Sequence, residues 1–326
     1  MARENLNWPA IGNERAINFL NSGLKNNKLA QTYIFIGPDN LGKATIALAF
    51  ANNLQSNPQG FNSDLHILKA ADDKKNISIE QVREFIKSLS LSSFLNSYKI
   101  GLIKEADSLT PEAQHALLKT LEEPQDKVII ILLLREEGNL LPTILSRGQL
   151  LYFYPVPTEV IYDYLIKNYQ ASRSLAKNLA SLSLGRPLRA LHFLENPQDY
   201  EDYINKAKLC LACLEKNLNE RLALLDKLFT DKGYGFQASR GAQEILEIFE
   251  ALSRDLLLLT AEQAPRIQHV ILDAELRQFF QEMNQKNGPD NLIVIINWLK
   301  NLNQAKERLA ANVNPRLVLE QFLINL

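Results

Sequence analysis

The sequence predicts an α/β domain built on a parallel sheet, followed by helices to the end of the chain. Five short apolar runs in the first half, Thr32–Ile36, Leu65–Leu68, Ile100–Ile103, Val128–Leu134 and Leu150–Tyr154, are continuous rather than alternating, as strands covered on both faces are. Helical patterns separate these runs, which is the alternation of a doubly wound sheet. After the prolines of "YFYPVPTEV", Pro155 and Pro157, strand signal nearly vanishes and amphipathic helix takes over.

Each helix has its own chemistry. The stretch "TYIFIGPDNLGKATIALAF" runs from the first strand through a glycine-bearing turn into Thr45–Leu54, which is rich in Ala and Leu. Ser78, followed closely by Glu80 and Gln81, starts the helix Ser78–Leu89. Thr110 caps Pro111–Glu123, with Pro111 at the first helical position and Pro124 ending it. Three short helices are expected between Thr158 and Asn196, closing in "SLGRPLRALHFLENP". From Asp199 to Leu326 the pattern is helical throughout, as in Glu244–Leu258 and Asn291–Ala310, with "KNGPDN" as a loop. Domains are accordingly expected at residues 1–155, 156–198 and 199–326.

Composition narrows the function classes. A chain of 326 residues can bury a core in each of two or three domains, and 46% hydrophobic with 22% charged residues is ordinary for a soluble globular protein. The net charge of −1 provides no overall basic field, so any nucleic-acid contact has to come from a local patch or from a partner. The opening "MARENLNWPAIGNERA" lacks a signal-peptide core, and the longest apolar run, Val128–Leu134, is too short to span a bilayer. A cytoplasmic protein without membrane contact is expected. Cys210 and Cys213 form a C-x-x-C in "KLCLACLEK", but Leu209, Cys213 and Leu214 fall at helical spacing and no second cysteine pair accompanies them. Core packing is the reading, rather than a redox pair or half a zinc site.

The segment "GPDNLGKAT" carries the most chemistry. Gly37, Gly42 and Lys43 occupy their places in G-x-x-x-x-G-K-[ST], a pattern whose backbone N–H groups and helix N-terminus cradle phosphates while the Lys reaches the outer ones. Ala44 stands where a hydroxyl would ligate Mg²⁺. Thr45 does not replace it, because one helical residue turns a side chain by about 100° and moves it about 1.5 Å along the axis. Hydrolysis also needs an acid at the end of a neighbouring strand. In "KIGLIKEADSLT" that place holds Lys104, with Glu105 and Asp107 following as shifted acids. No hydrolysis is expected here, and nucleotide binding without turnover stays open through Gly37, Gly42 and Lys43, with Thr45 beside them.

Four segments occur in order: "AQTYIFIGPDNLGKAT", "DLHILKAADDKKNISIEQVREFIKSLS", "KIGLIKEADSLTPEAQHALLKTLEEPQDKVIIILLL" and "LLPTILSRGQLLYFYPV". Together they resemble the delta-prime subunits of the bacterial DNA polymerase III clamp loader, within the AAA+ superfamily. "AQHALLKTLEEP" and "LLPTILSRGQ" are the specific pieces; the likeness is firm over the first 200 residues and extends to the remainder only in size and class. It implies an AAA+ P-loop α/β domain with a five-stranded parallel sheet, a small helical lid and an all-α collar. It further implies a place in a pentameric open ring with gamma/tau and delta subunits, which uses ATP to open the sliding clamp and set it on primed DNA. Delta-prime members of that family are non-hydrolysing stators, so no catalysis by the isolated chain and no required cofactor are expected. No zinc is expected either, since "NLQSNPQGFNSDLH" lacks the four cysteines that many relatives carry.

The resemblance assigns Ser146 and Arg147 of "SRG" to the family's Ser-Arg-Cys motif, whose arginine reaches across to the neighbour's nucleotide. An arginine suits that task as a permanently charged planar donor placed where γ-phosphate charge develops. Gly148 replaces the motif's Cys and is expected to leave the backbone more permissive. Leu133, Leu134 and Arg135 stand where the family has a polar sensor. Arg189, in "GRPLRAL", matches a sensor arginine and could either touch a phosphate or pair with a local carboxylate. In "HALLKTLEEP", Ala116, Leu117, Thr120 and Leu121 make one apolar stripe, while Lys119, Glu122 and Glu123 face solvent or a neighbouring subunit. Ser90–Ser97 could approach DNA. An active gamma/tau-type ATPase and a stand-alone nucleotide-binding regulator remain the alternative readings.

Overall fold

The structure, a computed structural model, describes residues 8, 11–55, 64–71, 76–91, 98–123, 125–229 and 235–326. It divides into two compact units, one of Met1–Ile161 with Gly185–Leu188 and one of Tyr162–Leu184 with Arg189–Leu326.

The first unit is built on five parallel strands: β1 (Thr32–Ile36), β2 (Leu65–Leu68), β3 (Lys99–Ile103), β4 (Val128–Leu134) and β5 (Gln149–Tyr152), in the order β2-β3-β4-β1-β5. The inner strands β1, β3 and β4 are buried along their whole length, as continuous apolar runs demand. The edges differ. Ile67 in β2 and Tyr152 in β5 are exposed, because an edge strand is covered on fewer sides. Around the sheet run α1 (Glu14–Asn26), α2 (Lys43–Gln55), α3 (Ile79–Ser90), α4 (Pro111–Glu122) and the single turn α5 (Pro142–Leu145), followed by the start of α6 (Thr158–Tyr169). Successive side chains of a strand point to opposite faces. Ile34, Ile36 and Leu132 therefore pack with Phe85 of α3 and Leu117 of α4, while Tyr33, Phe35 and Ile131 pack with Leu20 of α1 and Phe50 of α2.

The expected caps are present. The Ser78 hydroxyl accepts from Gln81 N–H while the Gln81 side chain accepts from Ser78 N–H, and Thr110 accepts from Ala113 N–H. Pro124 and residues 92–97 of the Ser90–Ser97 stretch lie outside the described residues, as do residues 56–63 after α2.

The second unit comprises most of α6, α7 (Arg173–Leu182), most of α8 (Pro187–Glu195), α9 (Pro197–Glu215), α10 (Leu218–Leu228), α11 (Phe236–Thr260), α12 (Asp273–Asn287), α13 (Asn291–Ala310) and α14 (Pro315–Ile324). The segment "KNGPDN" is the end of α12 and a 3₁₀ turn, Gly288–Asp290, leading into α13, so it is helical where an open loop was expected. Cys210 and Cys213 lie buried in α9; burial pushes the Cys210 thiol far up and the Cys213 thiol up to about 11. One polar network runs through this helical core. The fully buried Asp255 carboxylate accepts from the N–H groups of Gln268 and His269 at 2.7 and 2.9 Å and from His269 Nδ1–H at 2.7 Å. His269 Nε2 in turn lies 3.0 Å from the Tyr203 hydroxyl. No helix among the described residues is long and apolar enough to cross a membrane.

Candidate functional site

The loop between β1 and α2 is set by backbone geometry before any side chain acts. Gly37 has φ +149°, and a Cβ there would lie 2.3 Å from the Phe153 carbonyl oxygen, so no other residue fits. Gly42 has φ +90° and Asn40 φ +64°, the left-handed turn that feeds the chain into α2. The Leu188 N–H also donates to the Asn40 carbonyl at 3.1 Å.

Lys43 is turned inward. Only 7% of it is exposed, and its ammonium donates to the carbonyl oxygens of Gly37 and, at 2.5 Å, of Leu134. Burial lowers its pKa, and the Asp39 and Asp107 carboxylates push back the other way. Of the two shifted acids, Asp107 is thus the one whose charge Lys43 feels. Asp39 belongs to the loop itself and holds Arg135, the residue just after β4, in an exposed ion pair of 2.7 Å. The residues fit a magnesium nucleotide poorly. The methyl of Ala44 offers no oxygen to a metal, and the lysine already serves two protein carbonyls rather than standing free for a phosphate. Thr45 sits half-buried in the first turn of α2. Among the described residues no group of three or more His, Cys, Asp or Glu side chains could hold a metal ion.

Arg147 lies in the turn between α5 and β5. Its Nη1 donates to the Thr143 carbonyl at 2.6 Å, an oxygen that also accepts from the Ser146 hydroxyl at 3.1 Å. Its Nη2 donates to Glu122 Oε1 at 2.6 Å, joining the turn to the last residue of α4. Gly148 has a different role from the one its sequence suggests. Its φ is outside the left-handed region, but a Cβ on it would lie 2.5 Å from both Cγ1 and Cδ1 of Ile34. Close packing against β1, rather than backbone freedom, calls for glycine beside the arginine.

One residue to which the sequence assigned no role organises this corner. Gln114, nearly buried in α4, donates from Nε2 to the carbonyls of Leu109 and Asn139 at 3.2 and 3.0 Å and accepts from Leu141 N–H at 2.9 Å. Leu141 is the residue that opens α5.

Arg189 meets aromatic rings rather than a carboxylate among the described residues. Its guanidinium lies over the rings of Tyr203 and Phe193, 5.2 and 5.8 Å from their centroids, a cation–π seat in the second unit. Burial drives the Tyr203 phenol up to about 12 against the opposing pull of Arg189.

Residues 12–157 match the family described as DNA polymerase III, delta subunit. The chain is 24% identical over 329 residues to DNA polymerase III subunit delta' of Bacillus subtilis (strain 168), covering 96% of this chain and 95% of that one. It is 24% identical over 317 residues to subunit delta' of Pseudomonas aeruginosa, covering 90% and 91%. A solved DNA polymerase III, gamma subunit-related protein from Thermotoga maritima aligns over 94% of this chain and 97% of its own, at 21% identity and a TM-score of 0.48. Residues 12–157 thus match the family described as DNA polymerase III, delta subunit, and nearly the whole chain is similar to DNA polymerase III delta' subunits.

Proposed function

We propose that this chain is a non-hydrolysing, delta'-type subunit of a DNA polymerase III clamp loader, working in the cytoplasm. In this reading it joins gamma/tau-type and delta-type subunits in a ring that sets a sliding clamp on primed DNA, and it contacts clamp and DNA through that assembly. The contrast between its two candidate sites carries the reading. The phosphate loop satisfies its own lysine and holds a carboxylate, whereas Arg147 keeps about a third of its side chain exposed on a braced turn. A loop of this kind has no means to position a magnesium ion, and phosphoryl transfer depends on that positioning. An exposed guanidinium on a fixed backbone is suited to act on a phosphate bound by a neighbour.

The test is reconstitution with gamma/tau-type and delta-type subunits followed by DNA-stimulated ATPase measurement. Arg147→Ala in this chain should lower ring turnover by about 10³-fold per dependent site if the guanidinium acts as such donors do elsewhere. Unchanged turnover removes the finger. The isolated chain should not turn over magnesium ATP, and doing so would favour the active gamma/tau-type reading. A monomer that ignores the other subunits would favour a stand-alone regulator.

A further inference from the structure

Arg147 is already occupied in this chain. Two of its donors are taken, by the Thr143 carbonyl and by Glu122, and the Glu122 contact comes from a different helix. The remaining N–H groups of a guanidinium can still bind, since it carries five. Charge is the obstacle. A guanidinium beside a carboxylate presents nearly zero net charge, and Glu122 would itself repel phosphate oxygens brought to the same nitrogen. To act on a neighbour's phosphate at full charge, Arg147 has to leave Glu122.

The structure makes such a release possible for the side chain alone. The backbone beneath it is fixed: Arg147 N–H donates to Ile144 O at 3.1 Å, and Gly148 abuts Ile34. The pair itself is open to water, with 33% of the Arg147 and 47% of the Glu122 side chain exposed. Ion pairs at that exposure shift an equilibrium by about fivefold at most. A grip of that size holds a resting position and yields to a multiply charged phosphate.

We propose that Glu122 is a latch on Arg147: it parks the guanidinium against α4 in the resting subunit and competes with the neighbour's nucleotide for it. Glu122 is on this view a positioning residue, and the proposal rests on the reading of Arg147 as a finger. Removing the latch favours the nucleotide-bound and transition states alike, an effect that appears in KM and leaves kcat in place.

The experiment is steady-state ATPase of the reconstituted ring, DNA-stimulated, with full-length wild type, Glu122→Gln, Arg147→Ala and the double variant. Glutamine keeps the shape of the side chain and removes its charge. Glu122→Gln should lower the KM for ATP about two- to fivefold with kcat within about twofold, and the double variant should match Arg147→Ala. If Arg147→Ala slows the ring while Glu122→Gln lowers kcat as well, Glu122 is a brace and the latch is wrong. The latch is equally wrong if Arg147→Ala slows the ring and Glu122→Gln changes neither constant. If Arg147→Ala leaves turnover intact, the finger itself is gone, a failure visible without reference to Glu122.

Discussion

Restoring a side chain at position 148 should damage the α/β unit, and the cost follows from geometry. An ideal Cβ on Gly148 lies 2.5 Å from Cγ1 and Cδ1 of Ile34, whereas carbon contacts settle at about 3.5–4.0 Å. The overlap is about 1 Å, and Ile34 is fully buried in a central strand, paired to β4 on one side and β5 on the other. Overpacking of this kind costs about 1–3 kcal/mol. Alanine recovers about 0.4–1 kcal/mol by stiffening the unfolded chain, so Gly148→Ala should destabilise by about 1–2 kcal/mol net. Gly148→Cys, which adds a sulfur, should cost more. Ile34→Ala removes both clashing atoms and by itself costs about 2–5 kcal/mol. In that background Gly148→Ala should be nearly neutral, a coupling within the range of about 0.5–3 kcal/mol seen for contacting residues. The chain has two tryptophans, and Trp8 packs against the α/β core, so urea unfolding followed by Trp8 fluorescence in a Trp298→Phe background reports this unit. A neutral Gly148→Ala, or costs that simply add in the double variant, would refute the steric account.

Other expectations follow from burial. Lys43→Met should destabilise the nucleotide-free chain by about 1–3 kcal/mol in the same assay, because two carbonyls lose a charged donor; a lysine kept only for a ligand would show no such loss. Since burial lowers the Lys43 pKa, the unfolded chain binds more protons between the folded value and 10.5, so this contribution to stability rises with pH across that window and should vanish in Lys43→Met. Tyr203 has the opposite sign: its contribution is complete below pH 10 and is lost as pH rises towards about 12, and phenolate absorbance compared with Tyr203→Phe would show it. Both cysteines should resist a thiol reagent at pH 8 and label only as the helical unit opens; rapid labelling of the native chain would contradict their burial.

The strands were legible because runs such as "VIIILLL" permit little else, and the caps at Ser78 and Thr110 announced their helices. Lys99 disguised the start of β3. It is buried at 4% exposure, with its ammonium turned to the carbonyls of Ser88 and Leu91, so a charged letter stands inside a sheet. Helix α1 escaped notice for a physical reason: its buried residues Ala16, Leu20 and Leu24 make a narrow stripe, and Asn13 enters it in a left-handed conformation without a side-chain cap. At the candidate site the motif positions could be read, but their partners could not. Glu122 meets Arg147 across 25 residues and Gln114 meets Leu141 across 27, distances at which only tertiary structure brings side chains together. Arg189 illustrates the same limit, since its aromatic seat depends on α9 lying beside α8.

Gln114 has a mechanical consequence. A helix that slides by one residue ordinarily trades each contact for a similar one, but α4 would surrender all three amide bonds at once. The motion it permits is therefore of the whole corner, carried as a lever from Leu109 through Asn139 to the start of α5. Any push on the outer face of α4 should arrive at the arginine turn as displacement rather than dissipate as slack.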